Sequence, residues 1–520
     1  MPAQAQAQVR LPSLGESASD DLSISAERQL GLEIMRQARS DPALLDDPVL
    51  LAYVQSLWNP LVAAARQRGD ITADSDDLFA WELFLVLDRS VNAFALPGGY
   101  VGIHLGLINI TQTPDQLASV LAHELAHVTQ RHIARSISVQ QRSTLLSVAT
   151  ILLGFLAASR TGNADMANAA IMGGQGVAVQ GQLNFSRDME READRIGFGL
   201  LSNAGFDTAG MAGMFERMDN ATRLSDNNAF PYLRSHPLTF ERISEARSRT
   251  LVTGSTGSGP PLLHAMMQAR ARVLMDSSAQ GLQRLSGETS STALTDQVGA
   301  LYAGALGAAL RGDVARGDAL VAEALSLVRN APRAEPDAQM ALKLLQVQLR
   351  LAARDAAGAL RLLDTLPTSD NAMARRPALQ LRAQAALDLH RQQPIQAAGA
   401  LRYSTEALQI WLADHPQDAA AWQLLSNTTE AAGLKLRSLR AAAEARAMLG
   451  DLNGAIDRMR AAQASARSAS AQDFIEGSVI DVRLRELRAE RRERFMAERG
   501  MRDERVDPND QNDPYEPVPQ

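Results

Sequence analysis

Residues 116–138 contain neither glycine nor proline and follow Thr113-Pro114-Asp115, a cap and first-turn combination, so Gln116–Ser138 is expected to be one continuous helix. That helix carries His123-Glu124-Leu125-Ala126-His127. Residues four apart on a helix lie about 40° apart around its axis and one turn along it. Both imidazoles therefore leave one face, aimed at a single ion, and Glu124 lies beside them as a general base. Catalytic zinc takes three protein ligands and leaves one position for water. The fold must bring one more ligand to this helix.

With no cysteine in the chain, that ligand is His or a carboxylate. The metzincin continuation needs glycine and histidine where Gln130 and Ile133 stand, which excludes it. A glutamate from another helix remains. Phe185-Ser186-Arg187-Asp188-Met189-Glu190-Arg191-Glu192-Ala193-Asp194 supplies one: Glu190 can reach the metal while Asp194, one turn on, holds a ligating imidazole in one tautomer. The expected centre is one Zn2+ per chain on His123, His127 and Glu190, with Asp194 behind them.

At 520 residues the chain exceeds what one hydrophobic core of roughly 250–300 residues can organise. The run TGSTGSGPP at 253–261 reads as a linker. The expected division is a disordered segment 1–25, a first domain 26–252, the linker 253–261, helical repeats 262–480, and a charged helix with a disordered tail 481–520. Helices are expected at Ala26–Arg39 and Asp47–Gln67, a strand at Leu78–Leu87, a hairpin or edge strand at Ala93–Ile103, and another helix from near Ser186. The fold class is mostly α: an α+β first domain with a small sheet, then an all-α part.

In that second part, helical segments are separated by turns at Arg311-Gly312-Asp313, Arg354-Asp355, Gln392-Gln393-Pro394 and Gly450-Asp451, which suggests about four degenerate tetratricopeptide-like pairs, with a generic bundle as the alternative. Asp481–Gly500 interleaves Arg and Glu and reads as a solvated helix, and the last 20 residues as disordered. The apolar run Leu145–Ala158 is shorter than the ~20 residues a bilayer requires, so a buried or interfacial helix is expected and no transmembrane segment. The net charge of −7, with bases interspersed among acids, argues against nucleic acid as a partner.

The motifs Asn92-Ala93-Phe94-Ala95 with Gly98-Gly99, then LASVLAHELAHVTQRH, SRDMEREADRIG, and Ser235-His236-Pro237 with Arg242, together resemble the HtpX-related gluzincin peptidases. In order and spacing they are most similar to the BepA-like (YfgC-like) periplasmic metalloprotease chaperones, over about residues 25–250. The resemblance implies a zincin-type peptidase domain cradled by tetratricopeptide repeats and acting in outer-membrane protein quality control. Its zinc ligands match His123, His127 and Glu190, its base Glu124, and its supporting acid Asp194. Expected partners are unfolded or misassembled proteins and, through the repeats, outer-membrane assembly machinery. The Ala/Gln-rich opening MPAQAQAQVRLPS resembles sequence just beyond a signal-peptidase cut, so the expected compartment is the periplasm, with the cytoplasm as the alternative.

The expected reaction is peptide hydrolysis, zinc activating a water whose proton Glu124 takes and passes to the leaving amine. The alternative is a chaperone or assembly factor that works through its repeats and keeps a latent site. The resemblance suggests His236 as a reversible fourth ligand; from sequence alone it reads as a loop residue. Arg242 either stabilises an oxyanion or pairs with a nearby carboxylate. Asn92, Gly98 and Gly99 mark a segment that either pairs with an extended substrate or is an ordinary covered strand. His132, on an unbroken helix, points about 140° away from His127. It is read as structural, as are His104, His264, His390 and His415.

Overall fold

The computed structural model describes residues 22–136, 187–222, 230–253, 261–285, 289–367, 372–466 and 471–498. The expected buried or interfacial helix at Leu145–Ala158, most of the disordered start, the linker interior and the last 20 residues lie outside them.

Helix α1 (Ile24–Ala38) starts two residues before its expected position because the Ser23 hydroxyl accepts the Ala26 amide; Leu22 is already buried, so order begins ahead of residue 26. A two-residue strand β1 (Leu44–Leu45) leads to α2 (Pro48–Arg68), capped by Asp47, opened by Pro48 and closed by Gly69 at φ 76°. Among the described residues, α2 alone is long and apolar enough to cross a membrane. Here it is a core helix that buries Tyr53, Leu57, Trp58 and Leu61.

The expected strand Leu78–Leu87 is divided. Thr72 and Ser75 form a reciprocal cap that nucleates α3 (Ala73–Leu78), and Trp81, at φ 48°, turns the chain into β2 (Glu82–Val86). The segment at Ala93–Ile103 is a hairpin, β3 (Ala93–Leu96) and β4 (Tyr100–His104). The sheet order is β1-β2-β4-β3, with β4 parallel to β2 and antiparallel to β3, which places β3 on the edge. The turn needs Gly98 and Gly99 at φ 76° and 87°, and α1 lies directly on it: a Cβ on Gly31 would sit 2.0 Å from the Pro97 carbonyl oxygen.

After α4 (Leu105–Ile110) comes α5 (Pro114–Thr129), in which every residue from Pro114 to Val128 is buried. The expected helix does not continue to residue 138. Arg131 takes φ 52°, its guanidinium held by Glu27 of α1 at 2.8 Å, and a separate α6 (His132–Ser136) follows. Helices α7 (Arg187–Asn203) and α8 (Ala209–Thr222) pack on α5, and α9 (Tyr232–Ser235) and α10 (Phe240–Thr253) complete the first part.

The second part is all helical: α11 (Pro261–Met275), α12 (Ala279–Arg284), α13 (Leu294–Arg311), α14 (Val314–Arg329), α15 (Pro336–Ala352), α16 (Ala356–Asp364), α17 (Ala372–Gln392), α18 (Pro394–Asp414), α19 (Ala419–Ala431), α20 (Lys435–Met448), α21 (Leu452–Ala466) and α22 (Ala471–Glu498). From α13 onward each packs on its successor. All four expected turns join consecutive helices, with Asp313, Asp355 and Asp451 accepting the amide three residues on. The four turns are unevenly spaced because two helices separate the first from the second and the second from the third, whereas three, α18 to α20, separate the third from the fourth.

Despite the linker composition, the two parts share one continuous core. Arg270 of α11 grips the Asp47 carboxylate through two contacts of 2.8 Å, and the Tyr53 hydroxyl lies 2.6 Å from His264 Nδ1. The last helix is not simply solvated: Ile480, Leu484 and Leu487 bury one face, and Glu490 reaches Arg36 of α1 at 3.1 Å instead of relying on pairs along its own helix.

Candidate metal centre

Two imidazoles project from α5 toward α7. The helices approach closely because α7 carries Gly197, where a Cβ would stand 3.1 Å from the Ala122 backbone. That approach brings Glu190 to the imidazoles. His123 Nε2 and His127 Nε2 lie 3.0 Å apart, and the Glu190 carboxylate oxygens are 3.5 and 3.4 Å from them. His236, just after α9, closes the group with Nδ1 2.9 Å from Glu190 Oε1 and 3.4 Å from His123 Nε2.

The four side chains are buried, and one potential ligand atom from each lies within 4.8 Å of the others. Bonds of about 2.0–2.1 Å to a tetrahedral zinc imply ligand atoms about 3.3 Å apart, so the spacing and the nitrogen and oxygen donors fit zinc. Two imidazole lone pairs facing each other at 3.0 Å also require a cation or a proton between them.

Around this group the sequence-predicted residues fall as follows. Asp194 Oδ1 lies 3.0 Å from His123 Nδ1, on the ring edge away from the cluster. Glu124 is fully buried; its Oε2 accepts the Ala95 amide at 3.0 Å, and its Oε1 is 3.6 Å from His236 Nε2. Arg242 takes the pairing alternative. Its Nε and Nη2 engage Asp194 at 2.6 and 2.9 Å, and its Nη1 lies 2.8 Å from Glu190 Oε2 and donates to the Pro237 carbonyl at 2.8 Å. The guanidinium is thus taken up on the ligand side of the cluster.

Gly98 and Gly99, the other residues of the expected substrate segment, form the turn beneath α1 and lie against Arg28 and Phe79. Of the two hairpin strands it is β3 that lies on the sheet edge, and Ala95 directs its N–H off the sheet. Asn92 precedes β3, buried, its Oδ1 without a hydrogen-bond partner among the described residues.

The electrostatics follow from burial and crowding. Burial opposes a charge on His123, yet Asp194 and Glu190 raise its pKa to about 9. Burial pushes His127 down, with the neighbouring His123 and His236 adding to the effect. Glu190 and Asp194 stay ionised against burial: His236 and His123 hold Glu190 far below the usual carboxylate range, and His123 with Arg242 lowers Asp194.

His132 does not point away. The break at Arg131 returns it to α5, with its Nδ1 2.8 Å from His127 Nδ1 and its Nε2 3.1 Å from Glu192 Oε2. Burial lowers its pKa to about 4, against the pull of Glu192. Sequence reasoning missed this residue, and with it Glu192 and Tyr232, whose ring stacks on His236 at 4.6 Å. The available signals were the position of Glu192 in the Glu190 run and a tyrosine one helical turn before His236.

The profile of peptidase family M48 matches residues 52–250. A beta-barrel assembly-enhancing protease of Yersinia pestis is 32% identical over 484 residues, covering 93% of this chain and 92% of the relative. The chain belongs to peptidase family M48. The M48 match runs from α2 to α10 and so contains every residue of the centre, while the Yersinia match extends through the all-helical second part. A beta-barrel assembly-enhancing protease of Escherichia coli (strain K12) is 38% identical over 248 residues, 48% of each chain, so this M48 chain aligns with about half the length of that relative. A mitochondrial metalloendopeptidase OMA1 of Schizosaccharomyces pombe is 31% identical over 224 residues, 43% of this chain and 61% of the relative.

Proposed function

We propose that this chain is a zinc-dependent endopeptidase that hydrolyses unfolded or misassembled proteins during outer-membrane beta-barrel assembly in the periplasm. The observation that carries the reading is the convergence of His123, His127 and Glu190 on one buried point with Glu124 alongside. Zinc held there would supply Lewis acidity to the scissile carbonyl and to the attacking water. Glu124 would take the water proton and deliver it to the leaving amine, while Asp194 keeps His123 in the tautomer that offers Nε2 outward. The outward amide edge of β3 would pair with an extended substrate, the Glu124 contact to Ala95 fixing the base at that edge.

The compartment and substrate class rest on the sequence resemblance and on the names of the relatives. The repeats would dock the client. A groove between α17 and α18, lined by Leu379, Tyr403, Ile410 and Trp411 with Arg375 and Arg382, suits that role.

One observation favours a second reading. His236 occupies the corner of the cluster that a water would need, which suits a latent peptidase whose repeats perform assembly work by binding. Casein digestion by wild type, Glu124→Gln and His236→Ala tests both. The peptidase reading expects slow cleavage by wild type, none by Glu124→Gln and faster cleavage by His236→Ala. Equal cleavage by wild type and Glu124→Gln would sink it.

A further inference from the structure

We infer that His132 and Glu192 form a positioning relay that fixes the tautomer and ring orientation of His127, so that its Nε2 lone pair faces the metal position. This rests on the zinc-site reading above.

The two imidazoles that share α5 are supported differently. His123 Nδ1 meets a carboxylate directly, at Asp194. His127 Nδ1 meets another imidazole, His132 Nδ1, at 2.8 Å, and His132 Nε2 lies 3.1 Å from Glu192 Oε2. A carboxylate only accepts, so His132 carries its proton on Nε2 and leaves Nδ1 as an acceptor. His127 must then carry its own proton on Nδ1, and its single lone pair is left on Nε2, the atom 3.0 Å from His123 Nε2 and 3.4 Å from Glu190. In the opposite tautomer, His132 would present a lone pair to Glu192 and its Nδ1–H to His127, which would then carry its own proton on Nε2, toward the metal position.

The placement has an identifiable structural cause. Arg131, held left-handed by Glu27, ends α5 and swings His132 back beside His127, while Arg135 of α6 holds Glu192 from the other side at 3.0 Å. His132 is fully buried, whereas Glu192 reaches the surface and can be altered without opening the core.

The test is Zn2+ affinity by chelator competition on the full chain, for wild type, His132→Phe, His132→Asn and Glu192→Ala, with the thermal midpoint of each metal-free protein. Asparagine can place its Oδ1 near the lost Nδ1 acceptor; phenylalanine fills the space without one. The relay predicts Kd raised roughly 10–100-fold by His132→Phe and about tenfold by Glu192→Ala, restoration to within about threefold by His132→Asn, and an unchanged metal-free midpoint for Glu192→Ala. A purely structural His132 would lower midpoints without this pattern. The relay is overturned if Glu192→Ala, which removes the acceptor, binds Zn2+ as wild type does, or if His132→Asn is as weak as His132→Phe; should His132→Phe not fold, Glu192→Ala decides. Wild type that binds no Zn2+ overturns the metal-site reading itself, and the relay with it.

Discussion

The Glu124 carboxylate accepts the backbone N–H of Ala95, at the outer edge of β3, across 3.0 Å. One side chain thus serves as the candidate base and as an anchor for the strand that would hold substrate. These roles separate by substitution. Glu124→Gln keeps an oxygen acceptor for Ala95, whereas Glu124→Leu leaves a buried N–H unpaired. Both variants should lose casein hydrolysis by about 10²–10⁴-fold. Only Glu124→Leu should lose about 1–3 kcal/mol in denaturant unfolding. Equal stability of the two variants would contradict the anchoring role.

Gly197 sets the separation of α5 and α7. Gly197→Val adds side-chain atoms where a Cβ already stands 3.1 Å from the Ala122 backbone, so the helices must part. The expected outcome is a loss of about 1–3 kcal/mol in stability. Zn2+ binding, read by chelator competition, should weaken because Glu190 moves away from His123 and His127. Unchanged Zn2+ affinity would show that the ligands do not depend on this close approach.

His264 makes the junction between the two parts sensitive to acid. Burial lowers its pKa to about 4, from 6.5 for the free group. For a base whose folded pKa is depressed, the stabilising contribution is complete above the unfolded value and is lost as pH falls from about 6.5 toward 4. The total is about 3 kcal/mol. His264→Gln keeps an acceptor for Tyr53 and a donor for Thr111 without titrating. Between pH 7 and pH 4 wild type should therefore lose about 3 kcal/mol more than the variant in urea unfolding. Parallel pH profiles would contradict this.

The α17–α18 groove leaves Ile410 71% and Tyr403 57% exposed, more than a closed repeat surface would require. Ile410→Asp should weaken capture of an unfolded outer-membrane beta-barrel protein about tenfold or more, measured by surface plasmon resonance on full-length protein. Casein at saturating concentration should be cleaved at the wild-type rate, because Ile410 takes no part in the chemistry. Equal capture by variant and wild type would remove the groove from the docking surface.

Much of this was legible in the sequence where chemistry and spacing act locally. His123, Glu124 and His127 declare themselves by helical periodicity, Glu190 by its own helix, and the repeat turns by aspartates such as Asp313 and Asp451 that cap the helices following them. Contacts made far along the chain were not legible. The end of α5 depends on Glu27, 104 residues before Arg131. An uninterrupted helix therefore sent His132 the wrong way. Arg242 was undecided because its two carboxylate partners come from another helix, and Glu490 pairs with Arg36 across 454 residues instead of with Arg494 nearby. Gly98 and Gly99 looked available for substrate until α1 was found lying on their turn.

The central claim is that His123, His127 and Glu190 hold one catalytic metal ion. Its most direct test is the zinc content, after exhaustive dialysis, of wild type and the double variant His123→Ala/His127→Ala. Wild type should hold close to one zinc per chain and the double variant almost none, with both proteins folded. Zinc retained equally by both proteins, or absent from wild type even after zinc is supplied, would contradict it.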